Sequence, residues 1–323
     1  MIDFTKCPTK NKSYNGANGK KIAVEYDGSL YMLKFPTVGK INTDMHYTNG
    51  CISEYLGCHI FNIIGIKAQE TLLGTYAVNG EKKLVVACKD FSSFGIVPQD
   101  FASLKNRIID SERNGYGVDL SDILNTIKEQ NVISREVLTA YFWDVFVVDA
   151  LIGNWDRHNG NWGFLYHQAD DTVEISPIYD CGSSLYPQAD EKMMRAVLKD
   201  ENELKVRIYE RPTSALEVNG KRINYYNFLT STENEDCCRA VVRIEHAIDL
   251  EKIYTMIEET PSLTDLQVEF YKKMITSRKT MILDVAYKRI KRIKPEFFTE
   301  QDKGNVFFGD VSEGYEEADI DSR

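Results

Sequence analysis

Long apolar runs are missing from this chain of 323 residues. Its most apolar stretch, near 137–152, is broken by Asp144 and Asp149, so no membrane span of about 20 apolar residues fits. The opening, MIDFTKCPTKNKSYNG, carries no apolar signal core. A basic excess is missing too: 39 Lys and Arg stand against 49 Asp and Glu, a formal net charge of −10. A chain of that sign does not hold long nucleic acid non-specifically, because each phosphate contact needs a cation. A local basic pocket for a nucleotide remains compatible with it. Metal-finger cysteine spacing is absent. The seven cysteines, at 7, 51, 58, 88, 181, 237 and 238, are odd in number, and the adjacent pair suits neither a shared zinc tetrahedron nor an easy disulfide. Reduced thiols in a cytoplasmic protein are the expectation, with export to a host left open. There is no internal repeat and no low-complexity tract.

What is present is a core-forming composition. Hydrophobic residues make up 43% and charged residues 27%, which predicts one large domain or two intimate lobes rather than disorder. Residues 1–95 read as β-rich. In IAVEYDGSLYMLKF two apolar runs meet at Asp27-Gly28, a strong hairpin signal, and KKLVVACKDF reads as another buried strand. Between them, Ile52, Leu56, Ile60 and Ile63 have helical spacing. The order expected for this lobe is strand, hairpin, strand, helix, strand, strand. From about 100 the pattern turns helical. Ser134 is placed as the N-cap of a helix with Leu138, Tyr141, Phe142, Val145, Phe146 and Ile152 on one face. A loop, GNWDRHNGN, comes next, then a strand pair turning at Asp170-Asp171, then helices near 190–200, 235–258 and 264–294. This gives a first lobe over 1–95, a helical lobe over 96–294 and a mobile acidic tail over 295–323.

The chemistry is densest in LIGNWDRHNGNWGFL and SPIYDCG. Asp156 and Asn161 stand five positions apart on one loop, and Asp180 arrives after the hairpin with Gly182 two residues on. Phosphoryl transfer to a hydroxyl needs one carboxylate near the attacking group, and an amide oxygen and a second carboxylate on a hard cation such as Mg2+. The spacing between catalytic Asp and metal-binding Asn in protein kinases is also five, and the second Asp there precedes Phe-Gly rather than Cys-Gly. In the first lobe, Lys34 ends the hairpin's second strand and Glu54 lies 20 residues later on the predicted helix; a strand Lys oriented by a helix Glu is the matching arrangement. KSYNGANGKK is a small-residue loop whose backbone N–H groups could cradle phosphates. Arg157 is read as a brace of its loop, Trp155 and Trp162 as packing, and INYYNFL as core or groove lining.

The strings GNWDRHNGNWGF and PIYDCGSSL resemble the kinase core of HipA-like serine/threonine kinases, the toxin kinases of bacterial toxin–antitoxin systems. The likeness covers roughly 10–290 and is sharpest at 141–186. It implies an α+β, two-lobed protein-kinase-like fold using ATP and Mg2+, with Asp156 as catalytic base and Asn161 and Asp180 as metal ligands. It places Gly16, Ala17, Lys34, Glu54, His158 and Tyr179 near the nucleotide, and the backbone of Ala87, Cys88 and Lys89 against adenine. It marks Ser13, ahead of Gly16-Ala17, as an autophosphorylation site. It further implies a protein substrate, such as a translation component or a host protein, an antitoxin partner, and a stand-alone or split form of the kinase core. The loop DRHNGN also resembles the DRxxxN loop of phosphoinositide kinases, so a lipid or small-molecule kinase is the alternative; no basic membrane-facing patch or lipidation signal supports it. A pseudokinase scaffold is the third reading, and it conflicts with the presence of Lys34, Glu54, Asp156, Asn161 and Asp180 together. HRD, DFG and APE triplets are lacking, so no peptide-docking segment is inferred.

Overall fold

The computed structural model describes residues 1–14, 21–36, 48–92, 95–109 and 113–298. Two short strands, β1 (Ile2–Asp3) and β2 (Thr9–Lys10), open the first lobe. Asp27 and Gly28 both take positive φ, 48° and 71°, the conformation a two-residue hairpin demands. They join β3 (Lys21–Tyr26) to β4 (Ser29–Lys34) in a ladder running from Tyr26 opposite Ser29 to Lys21 opposite Lys34. Helix α1 (Gly50–Ile64) comes next, ended by Gly65 at φ 97°. A second hairpin, β5 (Thr71–Val78) and β6 (Glu81–Lys89), turns at Asn79-Gly80, both also at positive φ. The sheet has the order β1-β5-β6-β4-β3-β2, with only β1–β5 parallel among the described strands. Phe4, Val24, Leu33, Val85 and Ala87 fill one face. The other face carries Leu73, Val86 and Cys88 against Cys51 of α1.

The second lobe begins with β7 (Ile96–Asp100), which pairs with β8 (Gly163–His167) and not with the first sheet. Helices α2 (Phe101–Ile108), α3 (Leu120–Glu129) and α4 (Arg135–Ile152) lie between them, and β9 (Thr172–Ile175) completes a three-stranded sheet. Ser134 caps α4 by accepting from the Val137 N–H, and Gly153 ends it at φ 64°. Every α4 residue from Tyr141 to Ile152 is buried, including the two acids that interrupt its apolar pattern. Each has a cation: Asp144 accepts from Arg243 at 2.7 Å, and Asp149 pairs with Arg157 at 3.0 Å. The lobe continues with α5 (Glu191–Lys199), α6 (Glu201–Lys205), the hairpin β10 (Thr213–Val218) and β11 (Lys221–Asn224), α7 (Tyr225–Leu229), α8 (Glu235–Ala247), α9 (Leu250–Glu259), α10 (Asp265–Arg278) and α11 (Asp284–Ile293), of which α8 and α10 pack on α4. Arg243 lies on α8. The INYYNFL segment supplies the end of β11 and all of α7; Tyr225 is buried and donates to the carbonyl of Asn154. No helix among the described residues is long and apolar enough to cross a membrane.

The expected start of the mobile tail, at residue 295, is corrected. Pro295–Phe298 forms a 3-10 turn with Phe297 buried. The Arg239 guanidinium lies 4.0 Å from the Phe297 ring centre, a cation–π contact that holds the turn on α8. Residues 299–323 lie outside the described residues.

Contact between the lobes runs through a glycine. A Cβ on Gly57 of α1 would sit 2.6 Å from the Cβ of Cys181, closer than any real contact. Mid-helix Gly→Ala normally stabilises by about 1 kcal/mol. Here Gly57→Ala should instead destabilise by about 1–3 kcal/mol through overpacking, read as a lower urea midpoint. A raised midpoint would show that α1 does not depend on this close approach.

Candidate active site

Helix α4 delivers the chain into the loop 153–162, and one buried side chain organises that loop. Arg157 donates through Nε and Nη2 to the two oxygens of Asp149, at 3.0 and 3.3 Å. Its Nη1 donates to the carbonyls of Asn161 and Tyr179, and Nη2 also reaches Cys181 Sγ at 3.3 Å. The guanidinium thus ties the loop both to α4 and to the segment carrying Asp180. Burial works against this charge, but Asp149 and Cys181 together offset it and hold the Arg157 pKa above its ordinary range. Asn154 bridges the same carboxylate, donating to Asp149 Oδ1 at 3.0 Å while its own Oδ1 accepts from the Asp156 N–H at 3.0 Å. Asp156 is half-buried, and burial raises its carboxyl pKa, with His158 opposing and Asp180 adding to the rise. Asn161 turns its amide nitrogen to the Asp156 carbonyl at 2.9 Å. That leaves its side-chain oxygen as the group it can offer a cation.

The second cluster joins the lobes. Lys34 Nζ lies 3.0 Å from Glu54 Oε1 and 2.9 Å from Asp180 Oδ1. Glu54 Oε1 also accepts from the Asp180 N–H at 3.1 Å. The pair expected from position alone therefore meets, and it meets at Asp180. Burial works against the Lys34 ammonium, and Asp180 and Glu54 reverse that, holding its pKa well above the lysine range. Lys34 in turn holds the Asp180 carboxyl below its usual range, against the effect of burial. Asp180 is at φ 59°, a left-handed conformation that Asp tolerates better than most residues. Its side chain remains 49% exposed toward the cleft. Gly182 makes room, since a Cβ there would lie 3.1 Å from Glu54 Oε2.

The remaining expectations fare unevenly. Tyr179 donates to the carbonyl of Gly160 at 3.1 Å and packs beside Phe91, ring centres 5.8 Å apart. His158 accepts the Gly160 N–H at 3.0 Å through Nδ1, so it shapes the loop's turn. Trp162 is buried against Phe101 with rings 4.1 Å apart, as a packing residue. Of the residues expected to face adenine with their backbone, Ala87, Cys88 and Lys89, the first two are paired on both sides, to β4 and β5. The Lys89 N–H donates to Glu70 at 2.9 Å and its carbonyl accepts from the Gln69 side chain at 2.8 Å. Beyond β6, the Asp90 N–H donates to the Leu30 carbonyl at 2.8 Å and the Ser92 N–H to Asp90 Oδ1 at 2.9 Å. Ser13 is exposed, and its neighbours Lys12 and Tyr14 both bind Asp90, at 2.6 and 2.9 Å. Gly16 and Ala17 lie outside the described residues. Sequence reasoning missed Asp149 and Asn154 as supports of the loop, and it found Gly182 only through the DCG string.

A sheet-rich lobe and a helical lobe, with a lysine, a helix glutamate, a loop Asp/Asn pair and a second aspartate converging between them, define a phosphotransferase of the protein-kinase-like fold. The HipA-like C-terminal domain family model matches residues 12–260. The serine/threonine-protein kinase CtkA of Helicobacter pylori is 49% identical over 290 residues, covering 89% of this chain and 88% of that protein. The crystal structure of a Helicobacter pylori proinflammatory kinase CtkA superposes with a TM-score of 0.85 at 48% identity, covering 91% of this chain and 99% of that one. The chain belongs to the HipA-like C-terminal domain family, as a serine/threonine-protein kinase.

The ion pair beneath the loop is open to a direct test. Removing one member of a buried pair leaves an uncompensated charge and costs about 3–5 kcal/mol. Asp149→Ala should therefore lose stability of that order in urea denaturation. A loss within about 0.5 kcal/mol, the range of an ordinary surface change, would mean the Arg157 fork does not hold the loop.

Proposed function

We propose that the cleft between the lobes binds ATP with Mg2+ and transfers the γ-phosphoryl group to a serine or threonine hydroxyl of a protein. The observation that carries this reading is the convergence of Lys34, Glu54 and Asp180 from three separate segments within 3.0 Å. Asp156 accepts the proton of the attacking hydroxyl; burial makes it more basic than an ordinary aspartate. Lys34, oriented by Glu54, steadies the phosphates. Asn161 and Asp180 offer an amide oxygen and an exposed carboxylate, which fits a hard cation that takes its remaining ligands from phosphate and water. That cation, when bound, neutralises charge developing on the transferred group. His158 and Tyr179 keep the loop shaped through Gly160. The exposed Ser13, beside the contacts to Asp90, is the proposed site of autophosphorylation. A phosphate there adds about −1.5 to −2 charges and would weaken nucleotide binding. Cytoplasmic work fits seven unbridged cysteines. A protein acceptor in translation or in a host, and an antitoxin partner, rest on the family resemblance.

Asp156→Asn keeps the shape and removes the base. Transfer to protein, and phosphate on Ser13 read by mass spectrometry, should both fall by roughly 10²-fold or more while the melting curve holds. Near-normal turnover would remove Asp156 from the role.

The metal ligands should separate in a magnesium titration. Asp180→Ala loses a charged ligand, so metal-dependent ATP binding should drop sharply, whereas Asn161→Ala should chiefly raise the magnesium needed for half-maximal transfer. Two variants that both track the wild type would sink the two-ligand arrangement.

A further inference from the structure

Lys21 opens β3 directly opposite Lys34 in the β3–β4 ladder. Directly paired residues of an antiparallel ladder project from the same face of the sheet, and on this face Lys34 reaches Glu54 and Asp180. The groups whose charge acts on Lys21 lie on this face of the sheet and in the cleft: Lys34, Asp180, Cys88 and Glu54. Burial, then repulsion from Lys34, pushes its ammonium below the usual lysine range, and Asp180 and Glu54 pull it back. Two like charges directly opposite each other cost a sheet stability. Lys34, for its part, is shared between two carboxylates at 3.0 and 2.9 Å. A polyanion entering here meets a lysine already largely neutralised.

We propose that Lys21 is a second phosphate-binding cation of this site, placed across the ladder from Lys34 to meet the phosphate chain of a nucleoside triphosphate. The proposal rests on the nucleotide-site reading above and deepens it by dividing the work. Lys34, fixed between Glu54 and Asp180, orients the phosphates. Lys21, on a flexible four-carbon stem at the strand's start, places a second ammonium on the same sheet face.

The test uses the full chain with Lys21→Met and Lys21→Arg, measuring calorimetric affinity for Mg-ATP, Mg-ADP and adenosine, with a thermal melt for each. Losing a charge-assisted phosphate contact is worth about tenfold. Lys21→Met should therefore bind Mg-ATP about tenfold more weakly and Mg-ADP also more weakly, with adenosine unchanged, and Lys21→Arg should recover most of the ATP affinity. Equal weakening toward ATP and adenosine would mean that Lys21 only supports the fold, and unchanged ATP affinity would remove it from the site; either overturns the proposal. A wild type that binds ATP no better than adenosine would instead overturn the nucleotide-site reading itself, which separates the two failures.

Discussion

A guanidinium taken out of water has to be surrounded, and Arg157 is surrounded by groups from three parts of the chain. Asp149 comes from α4, the Asn161 carbonyl from the loop, and the Tyr179 carbonyl and Cys181 Sγ from the segment after β9. A planar fork with five donors can satisfy such a set, and a lysine ammonium cannot. Because an unpaired buried charge costs several kcal/mol, these partners are not free to drift independently. Asp156 lies beside the fork in sequence, and Asn161 and Asp180 each lie within one residue of an atom it binds or contribute that atom themselves. The spacing of the proposed base and metal ligands is therefore a consequence of satisfying one cation. The apolar burial of α4 gives that cation a rigid floor.

The first lobe attaches to this frame at Asp180. Glu54 accepts the Asp180 backbone N–H and also pairs with Lys34, so a single carboxylate senses both lobes. The contact is short-range, and two glycines permit it. Gly57 lets α1 press on Cys181, and Gly182 leaves room for the Glu54 carboxylate. Of the three charged groups only Glu54 is carried by α1, so this helix supplies the carboxylate that Lys34 and the Asp180 N–H share.

Much of this is legible in the sequence, for uneven reasons. The order Asp156, Asn161, Asp180 is readable because phosphoryl transfer dictates residue type, and a short loop limits spacing. The hairpin is readable because Asp27-Gly28 supplies its turn. Counting outward from that turn sets Lys21 against Lys34, so the second lysine is available to the same reasoning. The end of β6 is not readable. An apolar run shows that LVVACK is buried, but where its ladder stops depends on Glu70 and Gln69, whose contacts with Lys89 exist only once β5 has folded alongside. The anchoring of Phe297 likewise depends on Arg239 of α8, far away in sequence. The Asp149–Arg157 pair is masked by its setting, since an acid in an apolar helix reads as an interruption until its partner is seen.

The charge balance of the cleft derives from the same geometry. A chain of net charge −10 repels a nucleotide polyanion at long range, and salt screens that repulsion beyond roughly 10 Å. Capture must then come from cations within contact distance. Two carboxylates on one lysine hold it in place and, by the same contacts, cancel much of the field it could offer phosphate. Orientation and attraction compete for Lys34. A site built this way must import positive charge from elsewhere, either as a divalent cation on Asp180 and Asn161 or as a further side chain on the same sheet face. The cross-strand position of Lys21 answers that requirement at the cost of like-charge repulsion within the ladder. An anion bound between the two ammonium groups would offset that repulsion.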